Sequence, residues 1–264
     1  MRPEVVVKWS WLPCLLVMLS GGSAYAGAGG AALAQWDACV WATEAQLWQG
    51  RADQRARVPA ESTTSSPHAF VEPATATACE STSPSSYTIQ QWRGRLFVRG
   101  VGLDALLGSL QHVLPVQDDI VAARFIDRRP DRVLVYLRVV RRTILTVTFD
   151  TEYEMTFARA TPDVASARSV MTRVNEVEAA GTAHERIAPA DADRGLLWRL
   201  QSYFRYTQMA GGVLVEMQSL TLSRGIPFLL RPVASPIVND VARESVARTL
   251  EAVAARFEGV TRKP

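Results

Sequence analysis

The chain has 264 residues, 48% of them hydrophobic, and a formal net charge of +3; that is ample for one packed core and too short to imply several independent domains. Its 29 basic and 26 acidic residues are interspersed, which excludes the basic stripe that a nucleic-acid footprint needs. Nearly all the basic residues are Arg, with Lys only at Lys8 and Lys263, a bias that reads as base composition rather than as phosphate recognition.

At the N-terminus, Arg2 and Lys8 precede the apolar run 9–19, and small residues follow as far as Ala24-Tyr25-Ala26. This is the layout of a secretory signal peptide. The run is shorter than the ~20 residues of a membrane span, so residues 1–26 are expected to be cleaved, with Ala32-Leu33-Ala34 as an alternative cut. The mature protein is then periplasmic or secreted, with no transmembrane segment left after signal removal. No small-residue-then-Cys pattern for a lipid anchor surrounds Cys14 or Cys39. Cys14 departs with the signal, and Cys39 and Cys79 remain as an even pair where disulfides are permitted. They are either a bridge or two unrelated thiols, and neither has a His beside it in sequence.

Residues 27–86 divide in two. Trp36, Val40, Trp41 and Leu47 recur at helical spacing and predict one amphipathic helix within 35–57. The stretch 58–86 is rich in Pro, Ser, Thr and Ala, a composition that buries too little surface to offset its ordering entropy, so it reads as a mobile linker or an irregular wrap.

The main body is expected over 87–264. Residues 87–99 read as a strand with a bulge at Gly94, and 102–113 as a helix on Leu103, Leu106, Leu107 and Leu110, stopped by Pro115. Strands follow at 120–126 and 132–140, separated by a turn at 127–131. The run Leu145, Val147, Phe149, Thr151, Tyr153, Met155, Phe157 alternates with polar partners, so one face of that strand is apolar. Another strand is read at 167–177. The alternation returns at Leu196, Trp198, Leu200, Phe204 and Tyr206, and Gly211-Gly212 turns the chain into Val213, Val215 and Met217 as an antiparallel hairpin. Last comes a long helix with Val238, Val241, Val246, Leu250, Val253 and Phe257 on one stripe.

The expected fold is therefore α+β: an antiparallel sheet of about seven strands curled around a C-terminal helix, plus the N-terminal helix. This order resembles the START-like, or SRPBCC, helix-grip superfamily, which includes lipid-transfer START domains, the birch pollen allergen family and bacterial polyketide cyclases; more narrowly it is similar to secreted bacterial members. The residues that carry the likeness are Phe97-Val98-Arg99-Gly100, Thr151-Glu152-Tyr153-Glu154, the segment 197–206, Gly211-Gly212-Val213, Val215-Glu216, Ser219-Leu220, Leu222-Ser223-Arg224 and Ile226-Pro227. The resemblance covers roughly two thirds of the chain. It implies a pocket between sheet and helix but no particular ligand.

Phe149, Tyr153, Trp198, Phe204, Tyr206, Val215, Met217 and Val241 are the expected ligand-binding residues, since they occupy apolar phases of adjacent strands and the last helix; the alternative is a filled core. A dry pocket of ~300 Å³ would cost about 7 kcal/mol at ~24 cal/mol per Å³, rivalling a domain's whole stability, so a pocket should hold water or an apolar ligand. No catalytic residue, metal site or cofactor is expected. His68, His112 and His184 read as surface residues without metal-binding spacing. Asp118 and Asp119 read as a solvated turn, Glu152 and Glu154 as a solvated strand face, and Arg128, Arg129, Arg132, Arg138, Arg141 and Arg142 as exposed arginines that blunt edge pairing. Glu216 and Arg224 have no role that the sequence reveals.

The function expected is an exported binding module for a hydrophobic or amphipathic, lipid-like small molecule. A cyclase- or dehydratase-like enzyme on the same fold is the alternative, and it would need a carboxylate or Tyr aimed into the pocket. A third reading is an envelope interaction protein with a solid body.

Overall fold

The computed structural model describes residues 25–49, 68–74, 77–80, 82, 86–142, 146–188, 196–226 and 231–258. The signal-peptide run at 9–19 and most of the Pro/Ser/Thr-rich stretch lie outside these residues. Among the described residues three α-helices, α1 (Tyr25–Gln49), α2 (Leu103–His112) and α3 (Arg231–Glu258), accompany nine strands: β1 (Phe70–Pro73), β2 (Tyr87–Arg99), β3 (Ile120–Arg129), β4 (Arg132–Arg142), β5 (Thr146–Thr161), β6 (Val164–Glu178), β7 (Arg186–Ile187), β8 (Arg199–Met209) and β9 (Gly212–Arg224). They form one sheet in the order β1-β2-β9-β8-β6-β5-β4-β3, with β7 on β6, and every pairing is antiparallel.

The strand count exceeds the expected seven because short segments with weak patterns join the edges. Phe70–Pro73, inside the expected linker, pairs with β2, and Arg186–Ile187 pairs with β6. Short strands carry too few alternating residues to be seen from periodicity.

The expected bulge at Gly94 is absent, since β2 and β9 pair without interruption from Tyr87↔Arg224 to Arg99↔Gly212. Glycine is needed there for a different reason: a Cβ would stand 2.7 Å from Leu250 Cδ1 and 2.8 Å from Val246 Cγ1, so α3 lies directly on the strand. The bulges fall instead where β3 meets β4, around Val121 and Ile126, and where β5 meets β6. An extra residue bends and twists a strand, so the β3–β6 half of the sheet is the half that curls. Gly211, at φ +81°, makes the tight β8–β9 turn.

The sheet is covered on both faces. On one face, α3 and α2 close a core of Leu96, Val98, Leu106, Val213, Leu250 and Val253. On the other, α1 lays Ala32, Trp36 and Cys39 against Tyr87, Leu220 and Leu222. The facing stripe of α1 is Ala32, Trp36, Cys39 and Thr43, all buried; of the expected Trp36, Val40, Trp41 and Leu47, Trp36 is buried and Val40 packs against the same cluster, while Leu47 is exposed and Trp41 is 78% exposed. Small side chains let the helix approach the strands closely, and the Cys39–Cys79 disulfide pins it there. Polar pairs complete the contact: the buried Gln91 Nε2 donates to Thr43 Oγ1 at 3.0 Å, and the half-buried Tyr203 Oη donates to Glu44 Oε1 at 2.8 Å. Burial and the Glu44 carboxylate push the Tyr203 hydroxyl's pKa well up.

Candidate functional site

A cavity of about 400 Å³ lies between α3 and the curled part of the sheet, near the lower end of small-molecule sites. Two features make it: the backbone of α3 stands off β4, β5 and β8, and the side chains that face the gap include many small ones. Nine residues of α3 line it, Ile237, Val238, Val241, Ala242, Ser245, Thr249, Ala252, Val253 and Arg256, recurring every three or four positions apart from the adjacent pairs 237/238, 241/242 and 252/253. Next to that stripe runs a second, of Val246, Leu250, Val253 and Phe257, which packs into the closed core. Large residues fill the space over β2 and β9, while Ala, Ser and Thr leave space on the side of β4, β5 and β8. The sheet repeats the pattern: Ser202 on β8 and Ser219, Thr221 and Ser223 on β9 occupy inward positions where the core end of the same strands carries Tyr206, Val213 and Val215.

Six of the eight expected residues line this cavity: Phe149, Tyr153, Phe204, Tyr206, Met217 and Val241. Val215 does not. It faces the right side of the sheet but sits fully buried in the core cluster that also holds Leu96, Leu250 and Val253, where α3 fills the space. Trp198 lies on the other face, packed with Tyr87, Leu220 and Leu222 under α1. The β8 ladder starts only at Arg199, so the two-residue alternation cannot be extended back to Trp198; Leu196 and Leu197 line the cavity instead.

The polar part of the lining was missed in the sequence. Asp119, expected in a solvated turn, is 4% exposed. It pairs with Arg141 of β4 and, at 3.2 Å, with Arg248 of α3, while Arg141 Nη2 donates to Ser245 Oγ at 3.1 Å. These contacts clasp the β3–β4 end of the sheet to the middle of α3 and so hold the curl around the helix. Asp119 Oδ1 has no hydrogen-bond partner among the described residues. Asp118, by contrast, is exposed.

The other arginines of the expected basic edge are mostly paired. Arg138 donates to both oxygens of Asp150 and to Glu185, and Arg132 bridges Asp127 and Glu154. Their strand, β4, is interior, and β3 forms the edge. The Arg138 hydrogen bonds hold the Asp150 carboxyl below its usual range, against the opposing effect of burial. Glu152 and Glu154 stay on the outer face in ion pairs with Arg173 and Arg132. His68, His112 and His184 are exposed, and no group of three metal-ligating side chains occurs among the described residues.

Inside the cavity, burial pushes the hydroxyls of Tyr153 and Tyr206 up; around Tyr153, Arg141 opposes the shift and Asp119 adds to it. Burial lowers the pKa of Arg256. The site therefore offers a long apolar wall, two neutral phenols and a few fixed charges, the usual composition of a small-molecule pocket. Exposed Val113 and Leu196 are part of the lining, so it reaches the surface there.

No protein-family model matches the chain, and no curated protein matches it. Solved structures do. A STAR-related lipid transfer protein from Xanthomonas axonopodis aligns over 74% of this chain and 96% of its own with 15% identity and a TM-score of 0.50. A human lipid transfer and protein localization domain aligns over 72% and 89% with 7% identity and a TM-score of 0.41. An aromatase/cyclase from Streptomyces sp. R1128 aligns over 66% and 96% with 13% identity and a TM-score of 0.41. At such identity the first of these speaks to fold alone, and with the sheet order and the gripped C-terminal helix it leads to one conclusion: the chain has the START-like, or SRPBCC, helix-grip fold.

Proposed function

We propose that the protein is an exported binding module that holds a hydrophobic or amphipathic small molecule between its sheet and its C-terminal helix. The observation that carries this reading is the cavity of about 400 Å³, lined mainly by apolar side chains with a few polar groups. Holding such a volume dry would cost about 10 kcal/mol at ~24 cal/mol per Å³, comparable to the stability of a whole domain. An apolar occupant removes that cost.

The Cys39–Cys79 bridge supports export, because disulfides persist in oxidising compartments. The burial of Ala32 on α1 favours a cut after Ala26 over one after Ala34, since the later cut would remove that residue. No helix among the described residues is long and apolar enough to cross a membrane.

The test is organic extraction of protein purified from its own host, followed by re-addition of single-chain amphiphiles to the delipidated protein. We expect an extractable small molecule and a melting temperature that rises with added amphiphile, by the equivalent of about 2.7 kcal/mol at a hundredfold excess over Kd. Nothing extracted and no shift with any amphiphile would refute the reading.

A further inference from the structure

The stripe of α3 that faces the cavity ends at Arg256, and the surroundings of that residue are incomplete. Its Nη1 donates to the Ser109 carbonyl oxygen at 3.1 Å and lies 3.4 Å from the Ser109 hydroxyl. Nε and Nη2 make no hydrogen bond to the described residues, and no carboxylate among those residues is within ion-pairing reach. Among the described residues, three charged side chains line the cavity: Asp119, Arg141 and Arg256. The first two answer each other, which leaves Arg256 as the uncompensated charge among them. A basic residue in a last helical turn can serve the helix dipole alone, but such a group needs no cavity. This one lines it together with the fully buried Tyr206.

The opposite end of the cavity holds no charged side chain among the described residues, and Gln90, Thr221 and Ser223 stand there beside apolar groups. Ile237, Val238 and Val241 line it, and residues 238 to 256 span roughly 27 Å of helix at 1.5 Å per residue. A narrow volume stretched along a helix, uncharged at one end and cationic at the other, suits a single chain better than a compact ring system or a two-chain lipid.

We propose that Arg256, with the Tyr206 hydroxyl, anchors the carboxylate of a single-chain amphiphile whose tail runs along α3 toward Val238. This rests on the reading above that the cavity is a ligand site, and it adds the charge of the ligand's head. A guanidinium–carboxylate contact in a partly dry site discriminates against a neutral head by roughly tenfold to a hundredfold.

The experiment compares dodecanoate with dodecanol, a pair alike in tail and different in head, titrated into the delipidated full mature protein. Wild type should bind dodecanoate at least tenfold more tightly than dodecanol. Arg256→Gln should lose that preference while keeping its affinity for dodecanol, Arg256→Lys should regain part of it, and Arg243→Gln, which removes an exposed cation of α3 outside the lining, should leave it unchanged. Equal affinities in wild type would overturn the proposal and leave the ligand-site reading standing, and so would a preference that persists in Arg256→Gln. If Arg256→Gln does not fold, the wild-type ratio decides alone. Binding of neither compound would overturn the ligand-site reading and the proposal with it.

Discussion

Two stripes of α3, about a quarter-turn apart, meet the same sheet with opposite results. Val246, Leu250 and Val253 close on β2 and β9 so tightly that Gly94 has no room for a Cβ. Ala242, Ser245, Thr249 and Ala252 face β4, β5 and β8 across a cavity of about 400 Å³. Both stripes belong to one helix, whose backbone runs close over β2 and stands off β4, β5 and β8, so the curl of the sheet and side-chain volume together make the difference. A helix-grip fold thus keeps its stability and its pocket on separate faces of a single element.

That separation can be broken from either side. Leu250→Ala deletes a fully buried side chain from the filled face and should cost about 2–5 kcal/mol, read by denaturant unfolding. Removing the Cys39–Cys79 bridge, which closes a loop of 40 residues on the far face of the sheet, should cost about 2–4 kcal/mol; because α1 does not line the cavity, amphiphile affinity at a temperature where the protein stays folded should be unaltered. Gly94→Ala drives a Cβ into Leu250 and Val246, and overpacking of that kind should cost about 1–3 kcal/mol in the same assay.

The smallest effect concerns Glu216. It sits on β9 opposite Arg95 and Arg205, yet burial outweighs both cations and raises its pKa. A carboxyl whose folded pKa is raised makes the folded state bind protons more tightly, so stability declines as pH rises from the ordinary carboxylate range through the raised value. Glu216→Gln should therefore unfold no more easily than wild type at pH 7, gaining less than about 1 kcal/mol, and the difference should vanish near pH 4. A variant clearly less stable at pH 7 would mean that the flanking arginines dominate.

Much of the fold was legible because long strands announce themselves. The alternation from Val147 to Phe157 and the Gly211 turn placed β5, β8 and β9 correctly, and the leucines of α2 recurred at helical spacing. Four-residue β1 and two-residue β7 carry too little pattern to be read. In the site, looking for large apolar residues found Phe149, Tyr153, Phe204, Tyr206, Met217 and Val241 but also brought in Trp198 and Val215, since period two fails outside the ladder and cannot tell a filled region from a hollow one. The informative signal lay in the small residues: Ser and Thr at inward phases of β8 and β9, matched by Ala, Ser and Thr on one stripe of α3, mark where volume is withheld. Asp119 and Arg141 were unreadable as partners, because only the sheet's curl brings them to Arg248 on α3.

The most direct measurement fills the hollow stripe and leaves the packed one untouched. Ala242→Phe combined with Ala252→Phe places two rings in the cavity, and both proteins are then titrated with a single-chain fluorescent amphiphile. Wild type should bind it saturably, one molecule per chain, and the filled variant should not, while unfolding at the same or a higher denaturant concentration. Equal binding by the two proteins would contradict a ligand site between this helix and the sheet.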